Sequence, residues 1–194
     1  MTQKLMSVFH SDYHSVPIDR VFPRISTVTS SFNQAMFLER TIRSVLDQDY
    51  PNPEFIIIDG GSRDGSVEVI RQYQKHISYW VSEPNEGQAD AINKGFRMAT
   101  GELVAWQNSD DMYLPGALSR VAHEYMIKPD YHVYCGNIYL TDSSDSVLRE
   151  MRFQPFRVGH LVFYDWNLSS QGTFFRRDVF ESAGYLQNIT VCFD

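Results

Sequence analysis

From residue 24 to residue 140 the chain alternates short runs of β-branched and apolar residues with segments whose apolar residues recur three and four apart, and this alternation restricts the available folds more than any other feature. ISTVTS, from Ile25, reads as a strand, and Phe37, Leu38, Ile42, Val45 and Leu46 then share one helical face that ends before Pro51. EFIIID, Glu54 to Asp59, is a continuous apolar run of the kind buried on both faces of a sheet. Val67, Ile70 and Ile77 carry the next helix, Tyr79 to Ser82 a short strand, and Ala89, Ile92, Phe96 and Ala99 another helical face closed by Gly101. Leu103 to Gln107 is the fourth strand, Leu118, Val121, Ala122 and Tyr125 repeat the helical spacing, and His132 to Leu140 returns to a strand pattern. Such a succession predicts an α/β fold with right-handed crossovers, a mostly parallel sheet flanked by helices, and a ligand crevice beyond the carboxyl ends of the strands.

The alternation stops after residue 141, where Ser146 to Phe153 reads as a strand, Leu161 to Ser170 as an irregular aromatic stretch and Arg177 to Ala183 as a short helix before Gly184. Residues 1–23 show no period and are broken by Pro17 and Pro23, so they read as an arm ahead of a single domain, 24–194. A net charge of -7 and a pI near 5.3 argue against a nucleic-acid partner, which needs a basic face. Cys135 and Cys192 read as buried thiols in a reducing compartment, and no signal peptide or apolar membrane span is seen. The expectation is a cytoplasmic protein, with peripheral membrane contact still compatible. The sequons at Asn167 and Asn188 carry little weight without a secretory signal.

Polar clusters fall at three strand ends: TSSFN, DGGSRDGS and NSDD. Thr29, Ser31 and Asn33 suit either a turn and helix cap or ligand contact, and Phe32 among them suits either a loop base or a plane on which a nucleobase stacks. Gly60 and Gly61 allow close backbone approach, Asp59 can accept a hydrogen bond from a ring N–H, and Asp64 can cap the next helix. The spacing matches neither GxGxxG nor GxxxxGKS, which disfavours a dinucleotide site and a P-loop. EPNEGQADAIN sets Gly87 and Gln88 ahead of a helix whose N-terminal N–H groups suit an anion. Asp110 and Asp111 are adjacent carboxylates at a strand end; like charges side by side call for a cation, although Asp before Pro115 also suits a helix start.

Together these segments resemble the nucleotide-sugar half of a family 2 glycosyltransferase of the GT-A fold. The resemblance rests on VTSSFNQAMFLERTIRSVLDQDYPNPEFIIIDGGSRDGSVEVI, on YWVSEPNEGQADAINKGFRMATGELVAWQNSDDMYLPGAL and on SSQGTFFRRDVFESAGYL, in consistent order across residues 24–194. It implies a donor half, 24–128, and a smaller mixed acceptor-side half, 129–194. Thr29, Ser31, Phe32 and Asn33 would border the nucleotide, with Asp59 on the base, usually uracil, and Asp64, Gly87, Gln88 and Asn93 on the donor side. The family's DxD-type motif falls on NSDD, where Asn108 replaces the commoner first aspartate, leaving Asp110 with Asp111 to hold Mn²⁺ or Mg²⁺ beside the diphosphate. Gln171 in SSQGTFFRR would face the sugar or acceptor, and Asp194 would be the catalytic base, so the chain would stop on its own base as a truncated form of impaired turnover.

The implied reaction is inverting transfer of a sugar, with UDP as the expected carrier, to a carbohydrate, lipid-linked or protein acceptor. The rival from another class is a non-catalytic nucleotide-sugar binder, motivated by the terminal position of Asp194 and by Asn108. A nucleotidyltransferase lacks a basic Gly-rich phosphate loop here, and a glycoside hydrolase would need its two acids on opposite sides of the scissile bond, not adjacent. His10 and His14 read as solvated, Cys135 as packing, and Tyr50, Tyr79, Trp80, Phe174 and Phe175 as core. Trp106, beside the acid pair, is retained as an acceptor-side candidate.

Overall fold

The computed structural model describes residues 4–8, 21–142, 144–153 and 169–187. In chain order it contains β1 (Lys4–Val8), β2 (Ile25–Ser31), α1 (Ala35–Leu46), β3 (Pro53–Asp59), α2 (Ser66–Tyr73), β4 (Tyr79–Ser82), α3 (Gln88–Met98), β5 (Leu103–Asn108), β6 (Met112–Tyr113), α4 (Ala117–Ile127), β7 (Val133–Cys135), β8 (Asn137–Thr141), β9 (Val147–Met151), a 3-10 turn (Ser170–Gly172), β10 (Thr173–Arg176) and α5 (Asp178–Ala183). The main sheet has the order β4-β3-β2-β5-β10-β7. Its first four strands run parallel; at one edge β10 pairs antiparallel with β5 and β7 antiparallel with β10, so β10 alone is reversed in this sheet. The α/β fold with a mostly parallel sheet is therefore as the alternation predicts.

The continuous apolar run of β3 follows from its two covered faces. Ile57 packs with Ile25, Ala105, Leu38, Ile42 and Val121 under α1 and α4. Ile56 and Ile58 pack with Val28, Val104, Ile92 and Phe96 under α3. Each of these isoleucines is at most 1% exposed, and burial of such a side chain stabilises by about 1.5–3 kcal/mol. Gly95 sets how closely α3 lies on the sheet, since a Cβ there would meet Val28 Cγ1 at 2.3 Å.

One charge is buried at the amino end of this sheet. Glu54 accepts hydrogen bonds from Ser26 Oγ (2.5 Å), Thr100 N–H (2.8 Å) and Thr100 Oγ1 (2.8 Å), and pairs with Arg24 at 3.2 Å. Burial works against its ionised form, but the hydrogen bonds from Ser26 and Thr100 and the Arg24 charge outweigh that and hold the carboxyl below its usual value.

A second sheet, β6-β1-β8-β9, was not foreseen. β1 lies inside the stretch read as an arm: Met6 pairs in parallel with Met112, and Lys4 to Val8 run antiparallel to Thr141 through Asn137. The expected strand from His132 to Leu140 is divided at Gly136, whose N–H donates to Gly172 O at 2.7 Å, so that β7 joins the main sheet and β8 the second. Among the described residues no helix is long and apolar enough to cross a membrane.

Candidate functional site

β2, β3 and β5 end together, because Ser31 is in register with Asp59 and Ser30 with Asn108. The loops that follow these strands, and the one after β4, rise from the same sheet edge. Asp59 organises them from beneath. Its Oδ2 accepts from Gly61 N–H (3.0 Å), Ser62 N–H (2.9 Å) and Ser82 Oγ (2.6 Å), and its Oδ1 from Ser62 Oγ (2.6 Å). Gly61, at φ +82, supplies the left-handed turn that brings those N–H groups back onto the carboxylate. Asn33 N–H donates to Ser62 Oγ (2.8 Å) and Arg63 N–H to Asn33 Oδ1 (3.0 Å), which joins the first two loops. Asp64 accepts from Ser66 Oγ (2.6 Å), Ser66 N–H (3.1 Å) and Ala35 N–H (2.9 Å), tying the starts of α1 and α2 together. The Ser66 hydroxyl, followed by these backbone N–H groups, lowers its carboxyl pKa.

Above this scaffold lies a cleft of about 500 Å³ whose walls include Ser31, Phe32, Gly60, Asn85, Gly87 and Gln88. The Phe32 side chain, on the wall of this cleft, is 62% exposed. Gly60 keeps the space beside it open: a Cβ there would meet Asn85 Nδ2 at 3.0 Å and Phe32 Cδ2 at 3.1 Å. Asn85 Oδ1 accepts from Gly87 N–H (3.1 Å), and Gly87 at φ +110 turns the chain into α3. Gln88 Nε2 donates to Asn108 Oδ1 (2.9 Å), linking the start of α3 to the end of β5.

Of the expected donor residues, Ser31, Phe32, Gly87 and Gln88 come together in this cleft. Asn33 and Asp64 lie in the loops just described, where their side chains hold backbone, as their cap and turn alternatives anticipate. Other expected site residues have side-chain partners within the protein. Thr29 and Asp59 are 0% exposed, and the carboxylate of Asp59 accepts from four donors. The Asn93 amide donates to Leu186 O (2.7 Å) and accepts from Leu186 N–H (2.9 Å), clamping the segment after α5 onto α3. The acid pair divides. Asp111 is 4% exposed and its Oδ2 accepts from Gln171 Nε2 at 2.5 Å, so it anchors the acceptor-side segment, whereas Asp110 is half-buried.

Gln171 is itself 5% exposed, its Oε1 also accepting from Ser169 Oγ. Trp106 packs in an aromatic cluster under α3, 6.1 Å from Phe175 and 6.0 Å from Phe96 between ring centres. Burial raises the Cys135 thiol to about 11, consistent with packing. Asp194, His10, His14, Cys192, Asn167 and Asn188 lie outside the described residues.

Ser30, Gln34, Asn85 and Ser109 also line the cleft and were not singled out from sequence. Asn85 stands in the EPNEG segment, where Asn beside Pro and Gly signals a turn as readily as a ligand group. Among the described residues no group of three or more His, Cys, Asp or Glu forms a metal cage. The oxygen donors at the end of β5, Asp110 and Asn108, suit a hard cation that draws its other ligands from phosphate and water.

The sequence model described as Glycosyl transferase family 2 matches residues 26–184. An uncharacterized glycosyltransferase of Nostoc sp. is 39% identical over 105 residues, covering 53% of this chain and 33% of that protein. The chain thus spans about a third of this relative's length. A mannosyltransferase of Pyrobaculum calidifontis, solved with GDP-Man and Mn²⁺, superposes over 91% of this chain and 51% of its own with a TM-score of 0.64 at 19% identity. TarS of S. aureus, solved with UDP-GlcNAc, superposes over 84% of this chain and 48% of its own with a TM-score of 0.63 at 16% identity. A family match across most of the chain and a parallel sheet shared with these GT-A enzymes lead to one conclusion: the chain belongs to glycosyltransferase family 2.

Proposed function

We propose that this chain is the donor-binding and catalytic part of a hexosyltransferase that moves a sugar from a UDP-linked donor to an acceptor hydroxyl with inversion, assisted by a divalent metal. The observation that carries this reading is the cleft at the carboxyl ends of β2 and β3, with the exposed Phe32 ring and the side-chain-free Gly60 on its wall. A flat base fits against Phe32, where stacking of this kind contributes about 1–3 kcal/mol. The N–H groups at the start of α3, behind Gly87 and Gln88, favour the diphosphate. Asp110 would hold Mn²⁺ or Mg²⁺, which when bound supplies Lewis-acid stabilisation of the departing diphosphate. Asp111 and Gln171 position the acceptor-side segment against that corner.

The acceptor oxygen bonds to the anomeric carbon as the carbon–oxygen bond to phosphate breaks, and the electron pair leaves with the diphosphate. Asp194 takes the acceptor proton, a contribution of about 10²- to 10⁴-fold in rate. In this reading residues 24–128 hold the donor and 129–194 face the acceptor in a cytoplasmic enzyme, and the carbohydrate, lipid-linked or protein nature of the acceptor is set outside the donor cleft. A thermal-shift panel of UDP, GDP, CDP and dTDP, each with and without Mn²⁺, tests the proposal, since a ligand bound only by the folded state raises the melting temperature. The largest shift is expected with UDP plus Mn²⁺; no shift with any nucleotide would overturn it.

A further inference from the structure

On the other side of the 59–66 loop lies a second cleft, of about 590 Å³, that shares no wall residue with the first. It is formed by the loop after β3, the outer face of α2 and the edge strand β4, and its chemistry comes from Arg63, Arg71, Glu68, Trp80, Ser62 and Ser82. Its charge runs against that of the chain: two guanidinium groups face one carboxylate in a protein of net charge -7. Arg71 pairs with Glu68 at only 3.6 Å, both side chains being well exposed at 59% and 65%. Among the described residues no ion pair holds the exposed Arg63 side chain. Trp80 is half-buried, packed on the core beneath α1 and α2 while contributing to the cleft wall. The hydroxyls of Ser62 and Ser82 donate to Asp59 and so form a fixed floor.

A rigid aromatic wall, two forked cations and a volume within the range of small-ligand pockets form a consistent set. Guanidinium forks match the paired oxygens of carboxylate or phosphate, and an indole beside them suits the C–H face of a pyranose. The geometry points to a second binding site, between α2 and β4, for a sugar that carries an oxyanion. The site stands independently of the donor reading, because it is built from other residues and needs neither nucleotide nor metal.

Isothermal titration of the whole chain with glucuronate, glucose 6-phosphate, glucose and inorganic phosphate tests the assignment. Saturable binding of one or both charged sugars is expected, with glucose at least about tenfold weaker because it lacks a charge-assisted hydrogen bond worth that factor, and free phosphate weaker than the charged sugars because it has no ring to lie against the indole of Trp80. The tighter of the two charged sugars identifies the oxyanion. Arg63→Ala and Arg71→Ala should each weaken that sugar about tenfold or more, while Arg71→Ala keeps the wild-type thermal response to UDP and Mn²⁺. Equal binding of glucose, equal binding of free phosphate, absence of saturable heat, or indifference to both arginine substitutions would overturn the proposal. A nucleotide response lost in Arg71→Ala would overturn the separation of the two clefts. A wild-type protein that ignores nucleotides but binds the charged sugar would sink the donor reading alone.

Discussion

Gly60→Leu separates the role of the donor cleft from the stability of the fold. The backbone at Gly60 lies outside the left-handed region, so a side chain brings no dihedral strain. Its first carbon arrives 3.0 Å from Asn85 Nδ2, the end of a side chain, and 3.1 Å from Phe32 Cδ2, on a ring that is largely exposed, so each has room to give by a few tenths of an ångström. The unliganded protein should therefore change by no more than about 1 kcal/mol, as substitutions outside the core generally do. The remaining atoms of the leucine occupy the volume where a base would lie on Phe32. Losing a stacking interaction of about 1–3 kcal/mol, with a clash added, raises Kd by about 100-fold.

With UDP at about 100 times the wild-type Kd, the ligand stabilises the native protein by about 2.7 kcal/mol, and after that loss only about 0.4 kcal/mol remains. For a chain of this size each kcal/mol is about 2–4 °C in Tm, so a shift of about 5–11 °C should shrink to about 1–2 °C. Differential scanning fluorimetry with UDP and Mn²⁺ reads both quantities. An undiminished UDP shift in Gly60→Leu would refute the placement of the base, and an unliganded Tm lowered by as much as the lost shift would make Gly60 a structural residue.

Asp110→Asn should abolish the Mn²⁺-dependent part of the UDP shift and leave the metal-free part, measured in the same way; an unchanged metal response would return the ion to Asp111 or elsewhere. Glu54→Gln should destabilise by about 2–3 kcal/mol at neutral pH, the figure reduced because Arg24 is half exposed. Its pKa is lower folded than unfolded, so its contribution is present above the ordinary glutamate value of 4.5 and disappears as pH falls through the folded value. Urea titrations below pH 5 should show a shallower acid loss in Glu54→Gln than in wild type, and parallel profiles would refute the linkage. Asn93→Ala deletes two hydrogen bonds to Leu186 and should cost about 1–3 kcal/mol with nucleotide affinity unchanged, whereas weaker UDP binding at unchanged stability would return Asn93 to the donor side.

Periodicity made the parallel half of the fold legible: every residue of β2 and six of seven in β3 are buried, which is what continuous β-branched runs between amphipathic helices demand. β1 and β6 escaped because strands of five and two residues carry too little pattern, and their pairing is set by backbone partners more than 100 residues away. Sequence also located the candidate site to the loops at the strand ends, but not the direction of each side chain within a loop. Adjacent residues diverge there: Asp59 turns inward to four donors while Gly60 walls the cleft, and Asp111 turns inward to Gln171 while Asp110 remains half-exposed. Those choices depend on donors supplied by Ser82 and Gln171, 23 and 60 residues distant along the chain, and no local rule contains them.

Crystals grown with UDP and Mn²⁺, with the ion located by anomalous scattering, test the central claim most directly. The expected result is the uracil against Phe32 and above Gly60, with manganese bonded to the Asp110 carboxylate and the diphosphate. Nucleotide density in the Arg63 and Trp80 cleft instead, or manganese remote from Asp110, would contradict the account.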